Sequence, residues 1–145
     1  MYVIMKLKFK KLHPEAKLPS YGYSTDAGMD FFTLDEVVFQ PGEKKLIPTG
    51  LSMDLPVGYV ALFWDKSSLA SQKSLKSLGG VIDSGYTGEM KIILINLSSE
   101  IQIIPKGAKF IQLLIQRVEH CETEFVDEIT DSKRGKGGFG STGEF

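Results

Sequence analysis

The sequence predicts an all-β protein, and three observations carry that prediction. Apolar runs of strand length recur along the 145 residues, Pro- and Gly-containing turns separate them, and helical periodicity is almost absent. The first run alternates strictly. Met5, Leu7 and Phe9 interleave with Lys6, Lys8 and Lys10, the period-two signature of a half-buried strand. Further strands are expected from Val37 to Phe39, Lys44 to Ile47, Leu51 to Leu55, Tyr59 to Trp64, Met90 to Leu97, Ile101 to Ile104 and Lys109 to Val118. Turn chemistry lies between them at Gln40-Pro41-Gly42, Pro48-Thr49-Gly50, Pro56-Val57-Gly58 and Pro105-Lys106-Gly107. Many short strands at regular spacing point to a sandwich or barrel. The one expected helix is short, near Ser67 to Lys73, with Ser67 or Ser68 as N-cap. The run MKIILINL from Met90 is nearly continuous in hydrophobicity, as expected where both faces are covered. In so small a chain, another subunit would supply the second covering surface.

Composition narrows the partners. Seventeen Lys and Arg against eighteen Asp and Glu leave a net charge of −1, so no global field recommends nucleic acid or an anionic membrane. The longest uncharged stretch, Leu55 to Trp64, is too short for a membrane-spanning helix. The N-terminus carries its apolar residues before its lysines and lacks a small-residue cleavage site, so it does not read as a signal peptide, and Met1 or Met5 can serve as the start. One cysteine, Cys121, precludes an internal disulfide and fits a reducing compartment. These features describe a soluble, cytoplasmic, single-domain chain. Residues 1–130 are expected to form the domain. Residues 131–145, which hold one aromatic pair and no aliphatic residue after Asp131, are expected to form a mobile tail.

Four constellations carry chemistry. Arg134 to Gly143 concentrates five of the 15 glycines, interspersed with Arg134, Lys136, Phe139, Ser141 and Thr142. A flexible spacer explains the glycines alone. A nucleotide-closing loop explains the rest as well: amides and hydroxyls converge on phosphate, Arg supplies a bidentate fork, and Phe a stacking face. The P-loop spacing is absent. The stretch from Gly79 to Glu89 brackets an apolar strand that delivers Asp83 and, three residues on, Tyr86. Asp83 suits a general base toward water and Tyr86 a sugar-packing ring, although a β-turn with Tyr86 in the core accounts for the same letters. Asp26 and Asp30 flank Gly28 and offer oxygen ligands that suit Mg²⁺, directly or through its waters. Lys66, Ser67 and Ser68 set a cation and two hydroxyls at a helix start, where amides favour phosphate. His13, His120, Cys121 and Trp64 read as structural residues, with no metal-ligand spacing among them.

Read in order, AGMDF (Ala27 to Phe31), KSSLA (Lys66 to Ala70), GGVIDSGYTGE (Gly79 to Glu89), KGAKFIQLLI (Lys106 to Ile115) and RGKGGFGSTG (Arg134 to Gly143) resemble the five motifs of the trimeric deoxyuridine triphosphate nucleotidohydrolases, the dUTPases. The resemblance implies a distorted jelly-roll-like β-barrel or sandwich, a homotrimer with active sites built from more than one subunit, and Mg²⁺-dependent hydrolysis of dUTP to dUMP and diphosphate. That reaction keeps uracil out of DNA and supplies dUMP for dTMP synthesis. Carried onto this chain, Asp83 is the general base for in-line attack on the α-phosphorus, and Tyr86 packs on the deoxyribose. Asp30 holds waters of the Mg²⁺ shell, and Lys66, Ser67, Ser68 and Gln112 contact phosphates. Ser77, Gly80, Val81, Ile82 and Lys91 are further substrate-binding residues, with the Gln72 to Gly79 segment lining the uracil pocket. Arg134, Gly140, Ser141 and Thr142 grip the β- and γ-phosphates, and Phe139 stacks on uracil as the tail closes.

Three departures from the family pattern stand out. Lys66 replaces the usual Arg and loses its fork. Ala108 stands before Lys109 where an Asp is common, so the two losses look paired. The segment Gln72 to Gly79 is about two residues short, with Ser77 near a position often held by Asn. A homologous dCTP deaminase is the nearest rival. Its catalytic glutamate would fall at Ile93, and it lacks the glycine-rich tail. A catalytically silent regulatory β-sandwich is the second rival, against which the intact Asp83, Tyr86 and Arg134 argue.

Overall fold

A computed structural model describes residues 5–133 and 135–138. Eleven strands and one helix follow in the order β1 (Lys8–Lys11), β2 (Met29–Phe32), β3 (Val37–Phe39), β4 (Lys44–Pro48), β5 (Leu51–Asp54), β6 (Tyr59–Trp64), α1 (Ser67–Lys73), β7 (Leu75–Leu78), β8 (Val81–Asp83), β9 (Lys91–Asn96), β10 (Gln102–Ile104) and β11 (Lys109–Arg117) among the described residues. They pair as a four-stranded sheet β2-β11-β6-β8, a three-stranded sheet β4-β9-β7, and the ribbons β1-β5 and β3-β10. All pairings are antiparallel. Neighbours in a sheet are mostly distant in sequence, the wiring of a jelly-roll-like sandwich.

The core lies between the sheets. Phe31, Phe39, Phe110, Met90, Leu94, Ile104, Ile111 and Leu113 are all but fully buried. Phe31 meets Phe63 edge-to-face at 5.1 Å, a favoured aromatic geometry. Consecutive Phe110 and Ile111 are both buried because β11 slips register against β2 between Lys109 and Ile111, so a bulge turns two neighbours to one face. The Pro48-Thr49-Gly50 turn has a steric reason for its glycine: Gly50 has φ +68°, and a Cβ there would lie 2.7 Å from that of His13. Asn96, fully buried, donates to Glu100 O at 2.7 Å and accepts the Ser98 amide at 2.9 Å, tying the end of β9 to the turn beyond it.

The strand expectations hold except at three places. Residues 5–7 precede the first strand, and β2 and β7 arise where no strand was expected. The helix lies where it was expected, but its N-cap is Lys66 in extended geometry, not Ser67 or Ser68, and no side chain caps it. β9 is covered on one face only. Ile92, Leu94 and Asn96 are buried, while Ile93 opposes the exposed Leu46 on β4 and Leu78 on β7. These three form an apolar row on the outer face of the sheet. Residues 119–133 form neither helix nor strand and are exposed throughout, with Phe125 and Ile129 bare to solvent. Among the described residues, no helix is long and apolar enough to cross a membrane. Trp64 is exposed rather than part of the core.

Candidate active site

The four-stranded sheet brings three of the motifs side by side. Asp30 on β2 pairs with Gln112 on β11, which pairs with Trp64 at the end of β6. The chain leaves β6 through Asp65 and Lys66 directly into α1, so Lys66 reaches back to the buried Asp30 carboxylate. Lys109 approaches the other carboxylate oxygen at 2.8 Å. Burial pushes the Asp30 carboxyl up, but hydrogen bonds from Lys109 and Lys66 outweigh it and hold the pKa below the usual Asp value. The hydrogen bond from Lys109 to Asp30 raises the lysine in turn. Gln112 donates to the Asp65 carbonyl at 2.8 Å, and Gly28 leaves it room: a Cβ there would meet Oε1 at 2.4 Å. Ser67 and Ser68 are exposed at the start of α1, whose first turn carries no acidic residue. The result is a corner rich in donors, with Lys66 pairing to Asp30 rather than facing solvent alone.

The β7–β8 connection, which crosses from one sheet to the other, builds the second part. Gly80 has φ +103° and lies so close to β6 that a Cβ would sit 3.0 Å from Phe63 O. Its carbonyl accepts the Phe63 amide at 2.8 Å. This close approach leaves a cavity of about 160 Å³, in whose wall stand Ser77, Gly80, Val81, Ile82 and Lys91. All five are among the residues expected to bind substrate. Ile93 also lines it, at the position where the deaminase reading needs a glutamate.

Asp83 ends β8 opposite Val60, with its carboxylate exposed. A turn follows in which the Tyr86 amide donates to Asp83 O at 3.0 Å. The Tyr86 ring, half exposed rather than in the core, folds over Gly88 and donates its hydroxyl to Glu89 O at 2.8 Å. Asp83 does not join the Lys66 corner within one chain. Its partner Val60 and Gln112's partner Trp64 stand four residues apart on β6, about 13 Å at strand spacing.

Asp30 was expected to hold waters of a Mg²⁺ shell, and here both of its oxygens face lysines. With one lysine on each oxygen and little exposure, it does not fit the shell of a Mg²⁺ ion. Among the described residues, no group of three His, Cys, Asp or Glu side chains could hold a metal. Arg134, Phe139, Gly140, Ser141 and Thr142 lie outside the described residues. Two residues with clear roles escaped the sequence reading. Lys109 was noted only as the follower of Ala108, and Asp65 not at all, because its partners are Ser77, Lys76 and Gln112, distant in sequence. The only available signal was its place beside Lys66.

The fold is thus a β-sandwich that carries a small cavity, a strand-end carboxylate and, separated from it along β6, a lysine-lined corner: groups suited to a base, a water and a phosphate. The family model for dUTPase matches residues 14–143, and the chain belongs to that family. A deoxyuridine 5′-triphosphate nucleotidohydrolase of Clostridioides difficile is 45% identical over 139 residues, 94% of this chain and 97% of the relative. One of Nautilia profundicola is 43% identical, covering 97% and 100%. Among solved structures, the dUTPase of Staphylococcus bacteriophage 80alpha with dUpNHpp superposes with a TM-score of 0.89 at 31% identity, covering 95% of this chain and 98% of that one. A dUTPase variant from phage phi11 of S. aureus, described with a structural Mg(II) ion, gives 0.79 at 29%, covering 88% and 100%.

Proposed function

We propose a mechanism for this dUTP diphosphatase, which hydrolyses dUTP to dUMP and diphosphate: the Asp83 carboxylate takes a proton from water as that water attacks the α-phosphorus. The bond from the α-phosphorus to the bridging oxygen breaks, and diphosphate leaves. One observation carries this reading. Asp83 is exposed to water at the end of the same short strand whose Val81 and Ile82 wall the base cavity. The Tyr86 ring, held by Glu89 and Gly88, packs against the deoxyribose and leaves no room for a 2′-hydroxyl. Lys66, Ser67, Ser68 and Gln112 meet the phosphates, and Lys66 acts as a point charge already oriented by Asp30. Arg134, Gly140, Ser141, Thr142 and Phe139 complete the site as residues 131–145 close over the nucleotide. Mg²⁺ belongs to this reading as part of the substrate, the metal–triphosphate complex.

The same reading includes a homotrimer. It is supported by the outer apolar row Leu46–Ile93–Leu78 and by the separation of Asp83 from the phosphate corner, which a second copy would bridge. A cytoplasmic location belongs to the same proposal.

The test is diphosphate release from dUTP, dCTP, dTTP and UTP side by side. Asp83→Asn is expected to abolish release from dUTP while keeping affinity for a non-hydrolysable dUTP analogue. Full turnover in that variant would overturn the base assignment. Ammonia release from dCTP would favour the deaminase, and tight binding without turnover of any nucleotide the silent module.

A further inference from the structure

We propose that Asp65 is a positioning residue for base selection: it bolts the wall of the base cavity to the phosphate corner across the gap between the two sheets. The inference rests on the dUTP reading above. Asp65 directly follows β6 of the four-stranded sheet, whereas Ser77 lies on β7 of the three-stranded one. One Asp65 carboxylate oxygen accepts the Ser77 backbone amide at 2.7 Å, and the other takes the Lys76 ammonium. The Asp65 backbone carbonyl accepts the Gln112 side-chain amide at 2.8 Å. One residue therefore joins the glutamine expected to contact phosphate to the serine in the wall of the cavity.

Ser77, Gly80 and Val81 line both of two small cavities, of about 160 and 170 Å³. Gly80 is held by the Phe63 amide and β7 by its ladder to β9, and Asp65 adds the one bond that ties the Ser77 amide to the end of β6. The carboxylate is held ionised: burial pushes its pKa up, and the hydrogen bonds from Lys76 and Ser77 outweigh that and lower it. A charged acceptor makes a stronger bond to an amide than a neutral one. Asp65 does not line either cavity, so its effect on the base is exerted through Ser77.

The experiment compares the full-length parent, Asp65→Asn and Asp65→Ala in diphosphate release from dUTP and dCTP, with a thermal melt of each. Asp65→Ala is expected to raise KM for dUTP by about tenfold and narrow the dUTP-over-dCTP preference, with kcat within about twofold. Asp65→Asn, which keeps a neutral acceptor for the Ser77 amide, should fall between, with KM up about two- to threefold. A merely structural role would lower the melting temperature and leave KM and preference at the parent values, and that result in a folded Asp65→Ala overturns the inference. Should Asp65→Ala fail to fold, Asp65→Asn decides: parent KM and preference overturn the inference, and a raised KM with narrowed preference supports it. A parent inactive on dUTP overturns the function itself and takes this inference with it, whereas an active parent with an indifferent Asp65 overturns the inference alone.

Discussion

Gly28, just before β2, and Gln112 on β11 are fitted against each other: a single methyl on Gly28 would lie 2.4 Å from Oε1 and 3.1 Å from Cβ of the glutamine. The glycine is not there for its backbone freedom. It clears the volume that lets Gln112 lie flat over the sheet and reach the Asp65 carbonyl.

Gly28→Ala therefore displaces the Gln112 amide and breaks that bond. The expected loss is about 1–2 kcal/mol of stability, with kcat/KM on dUTP down about tenfold as the phosphate contact is lost. Steady-state kinetics and denaturant unfolding check both. A variant with parent kcat/KM would remove Gln112 from the site.

Tyr86 offers a paired test. Gly88→Ala would place a Cβ 2.6 Å from the tyrosine hydroxyl and 2.7 Å from Cζ, so the ring must move. The preference for dUTP over UTP should then narrow by about tenfold. Tyr86→Phe loses only the bond to Glu89 O, worth about 1 kcal/mol, and keeps the ring, so the preference should stay. Equal preference in both variants would sink the sugar-packing role.

The Asp30 cluster sets a pH window. The folded pKa of Asp30 is depressed, so its contribution is present above the unfolded value of about 3.9 and is lost as pH falls through the folded one. Lys109 is raised, so its contribution is full below about 10.4 and is lost as pH rises through its folded value. Asp30→Asn should melt below the parent at neutral pH, with the gap closing in acid below about pH 4. Melting curves across that range check it, and a constant gap down to about pH 2 would contradict the ion-pair account.

The outer face of β4-β9-β7 makes a prediction about assembly. Leu46 is 59% exposed beside Ile93 and Leu78. Leu46→Lys should leave the fold intact and shift the mass in light scattering from trimer to monomer, with dUTP hydrolysis falling in parallel. An unchanged trimer would move the interface elsewhere.

What could be read from the sequence followed the range of the interaction. Turns such as Pro48-Thr49-Gly50 and strands such as β6 are local, so their residues announce them. β2 and β7 were missed because Met29–Phe32 and Leu75–Leu78 are short and owe their strand geometry to partners far along the chain, β11 and β9. The helix cap was misread because Ser67 and Ser68 have the right chemistry, yet the extended residue is Lys66, pulled back toward Asp30. Motif order singled out Asp83, Tyr86 and the residues around Gly80 as candidates, but no local pattern could show that Asp30 faces two lysines.

Lys66 and Lys109 flank the Asp30 carboxylate, and Asp26 sets a second carboxylate near Lys109, so the corner carries little net charge in a chain whose overall charge is −1. At cellular ionic strength a charge is felt over only about 8 Å. A polyanion approaching from bulk solvent is therefore not steered inward; it arrives by collision and is captured only on contact. Encounter should be slow for an electrostatic site and almost indifferent to added salt, and the grip that follows should depend on short, directional bonds.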